Sequence, residues 1–170
     1  MMSFWPNAHA LVTGAGSGIG AATAIALANA GVRVSIAGRR IDALKATAAA
    51  LGKHAGAVVS IDVTGEAAVT KGIAQIAAEA GPIDILVNNA GKAGSAPFDK
   101  TGAALWADML ASNLSSVFLV TQAVLPDMAQ RGRGRVINVA STAGLTGYAY
   151  VSAYVAAKHG VVGLTRSLAL

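Results

Sequence analysis

The stretch "AHALVTGAGSGIGAATAIALANAGVRVSIAGRR" (8–40) decides the fold. Residues 8–13 form a short apolar run that reads as a strand. A glycine-rich turn follows, and the alanine-rich segment to about Ala30 predicts a helix. "VRVSIA" (32–37) predicts a second strand. Strand, helix and strand in so short a span make a βαβ unit, whose strands lie parallel.

The alternation continues outward from there. A helix is predicted over 41–51 and a third strand at "AVVSID" (57–62). The next helix carries Val69, Ile73, Ile76 and Ala80 on one face, with Thr64 as its expected N-cap and Gly81-Pro82 as its stop. "IDILVNNAG" (83–91) holds a fourth strand and its exit loop, and a long helical region spans about 101–130. "GRVINVAS" (134–141) is a fifth strand, and the last helix covers about 152–168. The strands are nearly continuous apolar runs, which require cover on both sheet faces. The prediction is an α/β fold: a doubly wound parallel sheet, Rossmann-like with three αβα layers, in one domain over 1–170. Active residues in such sheets belong in the loops at the carboxyl ends of the strands.

Composition narrows the function classes. The chain of 170 residues is 54% hydrophobic and 12% charged, which suits a globular protein and excludes disorder. It has no cysteine, so disulfide and thiolate chemistry are absent. No charged residue precedes Arg33, yet five glycines from Gly14 to Gly31 interrupt that segment, and it reads neither as a signal peptide nor as a membrane span. The net charge of +5 permits anion binding. "QRGRGR" (130–135) reads as a solvated turn entering a strand, because no aromatics are interleaved with its arginines to stack bases. No nucleic-acid or membrane partner is expected. His9 and His54 lack metal-ligand spacing, and no metal is expected.

"TGAGSGIG" (13–20) sits between the first strand and first helix, where a phosphate cradle belongs. The spacing is Gly14-x3-Gly18-x-Gly20, while Gly16, Gly18 and Ala21 also match the G-x-G-x-x-A form. A carboxylate ending the second strand would accept from the ribose 2′-hydroxyl of NAD. This chain has Arg39 and Arg40 there, and a guanidinium instead pairs with a 2′-phosphate. NADP is therefore favoured, with NAD left open.

In the last helix Tyr154 and Lys158 lie four residues apart on one face, beside the stripe Ala157, Val161, Leu164 and Leu168 that marks the buried side. An ammonium about 5 Å from a phenolate contributes roughly 3 kcal/mol at an effective dielectric near 20. That lowers a phenol pKa by about two units, toward the range of a general acid/base. Tyr148 and Tyr150 precede the helix and have no lysine four residues on.

"TGAGSGIG", "NNAG" (88–91), Asn113, Ser141 and "YVAAK" (154–158) together resemble the short-chain dehydrogenase/reductase family in its compact form, with a general likeness to 3-oxoacyl reductases and polyketide-type ketoreductases. The resemblance implies that Gly14, Ser17, Gly18, Ile19 and Gly20 line a pyrophosphate, with Arg39 near the adenosine ribose. Asp62 and Val63 would meet the adenine, and Asn88, Asn89, Ala90 and Gly91 would form the cofactor floor. It implies Tyr154 as general acid/base, Lys158 on the nicotinamide ribose, Ser141 on the substrate oxygen and Asn113 in a proton relay.

The expected activity is interconversion of a ketone and a secondary alcohol by hydride transfer with NADP(H), in the cytoplasm, as a homodimer or homotetramer. Two other readings are a nucleotide-sugar epimerase or dehydratase, whose glycine spacing differs, and a non-catalytic dinucleotide-binding regulator. Relatives are also longer, which predicts a domain lacking C-terminal strands and a lid.

Overall fold

The computed structural model describes residues 7–170. Its strands are β1 (His9–Thr13), β2 (Arg33–Gly38), β3 (Ala55–Ser60), β4 (Ile85–Asn88) and β5 (Arg135–Asn138). Between them run α1 (Gly18–Asn29), α2 (Ile41–Leu51) and α3 (Glu66–Ala80). A continuous helical stretch follows β4: α4 (Ala103–Leu110), a π-helical segment (Ala111–Ser115) and α5 (Ser116–Gln130). The last helix is α6 (Ser152–Leu168). The five strands form one sheet in the order β3-β2-β1-β4-β5, parallel throughout. This is the doubly wound α/β architecture that the alternation predicts.

Strand alternation divides the apolar residues between two cores. Leu11 and Leu86 face α3 and α5, packing with Val69, Ile73, Ile76, Val120 and Val124. Ala10, Val12, Ile85 and Val87 face the other way, onto Ala24, Ala28, Leu44 and Leu51 of α1 and α2. The central strands β1 and β4 are buried along their whole length. The edge strand β5 is not, and its Ile137 is exposed.

The chain winds outward from β1 in one direction, through β2 and β3, then crosses to β4 and β5 on the other side. Connections therefore diverge between β1 and β4, and a crevice opens at their carboxyl ends. The stretch Ala103–Gln130 is long and apolar enough to cross a bilayer by length and composition alone. Here it packs against α3, β4 and α6 as a layer of the fold.

Three local expectations are corrected. Thr64 does not cap α3; the N-cap is Gly65, and Thr64 donates both its hydroxyl and its backbone N–H to Asp62 Oδ1, at 2.7 and 3.0 Å. The buried stripe of α6 holds at Ala157 and Val161 but not at Leu168, which lies in the last turn and is 43% exposed. "QRGRGR" is not simply a solvated turn. Arg131 donates to Asp84 at 2.7 Å and to the Ile83 carbonyl at 2.7 Å, and Arg133 donates to Asp84 at 3.1 Å. Two of the basic residues thus neutralise a buried carboxylate, and their spacing follows from that task.

Candidate active site

The glycine turn is shaped by close approach. Gly14 has φ +66°, and a Cβ there would lie 2.8 Å from the Cα of Ala90. A side chain at Gly20 would run into the Asn89 amide and the Gly14 carbonyl. These two glycines let the turn after β1 nest against the turn after β4. Gly18 differs: its φ is +57° and its missing side chain would point into open space. Room is thus left beside the amino end of α1, a place where a helix can hold a phosphate group. The sequence alone cannot separate packing glycines from an open one, since all three are required at the same turn.

Asn89 and Thr13 tie the two turns together. The Asn89 amide donates to the carbonyls of Thr13 and Gly14, at 3.0 and 3.3 Å. The Thr13 hydroxyl accepts from the backbone of both Asn89 and Ala90, each at 3.1 Å. Asn88 turns the other way, donating to Thr121 and Asn138, so it joins β4 to α5 and β5.

The cleft that results is lined by Gly14, Ser17, Arg39, Asp62, Val63, Ala90 and Gly91 among the residues singled out in the sequence. Gly18, Ile19, Gly20 and Asn89 do not line it. Gly20 and Asn89 are occupied in packing, and Ile19 projects outward, 66% exposed. The cleft also takes in Gly16 and Arg40, both of which the sequence marks, and Thr64, Lys92 and Ser112, which it does not mark for this role. Lys92 follows "NNAG" directly and Ser112 precedes Asn113, and those positions are the only signal for them. Arg40 donates to the Ser17 hydroxyl at 3.4 Å, linking the end of β2 to the glycine turn. The Thr64 hydroxyl and backbone hold the Asp62 carboxyl below its ordinary 3.8, with Arg39 and Lys92 adding to the effect.

The remaining residues gather beside the cleft on α6 and its neighbours. Lys158 is buried, and its ammonium lies 5.7 Å from the centroid of the Tyr154 ring. The same ammonium donates to the Val139 carbonyl at 2.9 Å, just past β5. Burial lowers the Lys158 pKa below its ordinary 10.5. The Ser141 hydroxyl accepts from the Ala143 N–H at 3.1 Å and so caps the short turn Thr142–Gly144. That turn presses onto α6, since a Cβ at Gly144 would lie 2.8 Å from the Lys158 carbonyl.

Asn113 is neither a surface residue nor idle. It is buried inside the π-helical segment, where its amide donates to the Met109 carbonyl at 3.0 Å. Its Oδ1 accepts from the Lys92 N–H at 3.1 Å and would be blocked by any side chain at Gly91. Single π turns concentrate at functional sites because they re-aim one side chain within a helix. His159 points outward and bonds its own helix at Val155.

Fold and glycine cradle define a Rossmann-like α/β protein. Residues 8–170 match the family described as short chain dehydrogenase, and the chain belongs to that family. A Streptomyces coelicolor protein provisionally named as a ketoacyl reductase is 40% identical over 166 residues, covering 95% of this chain and 63% of the relative. The gluconate 5-dehydrogenase of Gluconobacter oxydans is 39% identical over 165 residues, covering 95% and 64%. The crystal structure of an actinorhodin polyketide ketoreductase variant with NADPH superposes with a TM-score of 0.92 at 38% identity, covering 98% of this chain and 66% of that one. The chain spans a little under two thirds of the length of these relatives.

Proposed function

We propose that this chain carries the cofactor cleft and reacting residues of an oxidoreductase that interconverts a ketone and a secondary alcohol, with NADP(H) preferred over NAD(H). The observation that carries the reading is the Lys158 ammonium held 5.7 Å from the Tyr154 ring and tethered to Val139 at a strand's carboxyl end. A nicotinamide dinucleotide, when bound, supplies or accepts the hydride. Tyr154 donates its hydroxyl proton to the carbonyl oxygen as that oxygen gains charge, or takes it from the alcohol in reverse. Lys158 stands ready to re-supply the proton. Ser141 hydrogen-bonds the substrate oxygen. Asn113 fixes the loop at Gly91 and Lys92 against α6's neighbours and orders the relay.

The NADP(H) preference rests on Arg39 and Arg40 at the cleft, with no carboxylate at the end of β2. The NADPH carried by the ketoreductase structure supports it. The reading includes a homo-oligomer, in which apolar side chains exposed singly at Trp106 on α4 and Phe118 on α5 can find cover. The reading carries a cytoplasmic location and a small carbonyl compound as partner. The test is NADPH and NADH oxidation by the full-length protein over a panel of ketones. NADPH should be favoured, and Arg39→Asp should reverse the preference by roughly tenfold, the worth of one charge-assisted contact. Wild-type activity that is equal or better with NADH removes the cofactor assignment. No turnover with any ketone removes the reaction.

A further inference from the structure

The interior of α6 carries two glycines, Gly160 and Gly163, although glycine is the poorest helix former after proline. Their surroundings differ. Among the described residues, a Cβ at Gly163 would meet nothing within 4 Å. At Gly160 it would lie 2.6 Å from Cδ2, 3.1 Å from Cδ1 and 3.4 Å from Cγ of Leu114. Leu114 is a knob from the π-helical segment, lodged against bare backbone of α6.

Leu114 follows Asn113 directly within that segment. The Ser116 N–H bonds the Ala111 carbonyl there, a π-type step, and the Ser116 hydroxyl donates to the Ser112 carbonyl at 2.8 Å. The widened turn sends two adjacent side chains to two different neighbours. Asn113 Oδ1 accepts from the Lys92 N–H in the loop after β4, while Leu114 enters α6.

Around α6, at about 100° per residue, Gly160 falls on one side of the fully buried pair Ala157 and Val161, and Tyr154 and Lys158 fall on the other. The Lys158 side is held by its bond to the Val139 carbonyl and by the close turn at Gly144. The Gly160 side is held by Leu114. Rolling α6 about its axis must break one seat or the other. Cα atoms lie about 2.3 Å from a helix axis. The Tyr154 hydroxyl and the Lys158 ammonium lie well beyond that radius, so a small roll at Gly160 becomes a larger displacement at both.

We infer that Leu114 and Gly160 are positioning residues: their contact sets the roll of α6, and with it the aim of Tyr154 and Lys158 relative to Asn113. The inference rests on the proposed reaction at Tyr154. It assigns a part in that reaction to two apolar positions that touch neither cofactor nor substrate.

The test is steady-state kinetics of the full-length protein with NADPH and cyclohexanone, acetophenone or ethyl acetoacetate. Gly160→Val adds to α6 as many carbons as Leu114→Ala removes from the π-helical segment, so the double variant conserves volume. Gly160→Val should lower kcat roughly 10–100-fold and Leu114→Ala about three- to tenfold, with KM for NADPH within about threefold of wild type. The double variant should regain at least about a third of the wild-type kcat, because effects at touching residues are coupled. Losses that multiply in the double variant overturn the inference. So does a wild-type kcat in Gly160→Val, or a change confined to KM or to melting temperature. If Gly160→Val does not fold, Gly160→Ala, alone and combined with Leu114→Val, makes the same comparison with a smaller exchange. An active wild type with unaffected variants removes the positioning contact alone. A wild type that reduces none of these ketones removes the proposed reaction, and the contact's part in it.

Discussion

Toward the amino ends of β1, β2 and β4, His9, Ser35 and Asp84 are all buried, and each finds its partners within the protein. At the carboxyl ends of β1 and β4 the accounting is left open. There the Asn88 Oδ1 is buried with no hydrogen-bond partner among the described residues, as is the Ser152 hydroxyl at the start of α6. Tyr150 holds a left-handed backbone there, and Gly18 faces open space. One sheet thus has a sealed end and an unfinished end. Unpaired polar groups and strain cost stability, so they persist where something other than stability is served.

The sealed end can be traced proton by proton. His9 Nδ1 faces the Gly81 and Pro82 carbonyls, both at 3.1 Å, so Nδ1 carries the hydrogen. Nε2 then accepts from the Ser35 hydroxyl at 2.7 Å, and the Ser35 oxygen accepts the Ala57 N–H at 2.9 Å. That last bond fills the β2–β3 ladder at a register irregularity between Val34 and Ile36. Asp84 accepts from the His9 backbone at 3.1 Å and from Arg131 and Arg133. The arrangement admits one neutral tautomer of His9, with the hydrogen on Nδ1.

The comparison breaks most sharply at Tyr154. Tyr154→Phe should lower the rate roughly 10²–10⁴-fold, the range for a lost general acid, while melting temperature and NADP+ affinity hold. A variant that keeps more than about a tenth of the wild-type rate would show that the unfinished end does not serve proton transfer at this residue. Asp84→Ala is the converse at the sealed end. It strands two partly buried guanidiniums and should cost about 2–4 kcal/mol in chemical denaturation, with the activity of the folded fraction unchanged. A loss below about 0.5 kcal/mol would mean that the network is decorative.

The smallest effect concerns acidity. Burial, ahead of all other causes, lowers the His9 pKa below its ordinary 6.5. The carbonyls of Pro82 and Gly81 and the Asp84 charge oppose that shift, and Arg33 reinforces it. The unfolded chain therefore binds the proton more readily than the folded one. The stability linked to neutral His9 is complete above pH 6.5 and falls as pH drops below it toward the folded pKa. Thermal melts at pH 7.5 and 5.5 should show a steeper acid loss in the wild type than in His9→Gln. Parallel losses would remove His9 from the account.

Much of the fold was legible because its signals are local. Apolar runs, the glycine turn and the helix stop at Gly81-Pro82 each lie within a few residues, and α2 and α6 fall on their predicted limits. The Tyr154–Lys158 pairing was legible for the same reason, since helical spacing alone puts both on one face. The arginines of "QRGRGR" were misread because their partner, Asp84, lies more than forty residues away. Thr64 was misread because Asp62 competes for its hydroxyl, and propensity does not register that competition.

The sequence by itself determined the order of elements, the glycine cradle and the spacing on α6, all of which follow from backbone sterics and helical periodicity. Only the tertiary structure decided which glycines pack and which stay open, and that Asn88 turns toward β5 while Asn89 pins the cradle. It also brought Leu114 to Gly160 and sealed His9 against Ser35. Each of these depends on which strands become neighbours. Strand order is set by the two cores closing together, and no window of residues short enough to read contains that information.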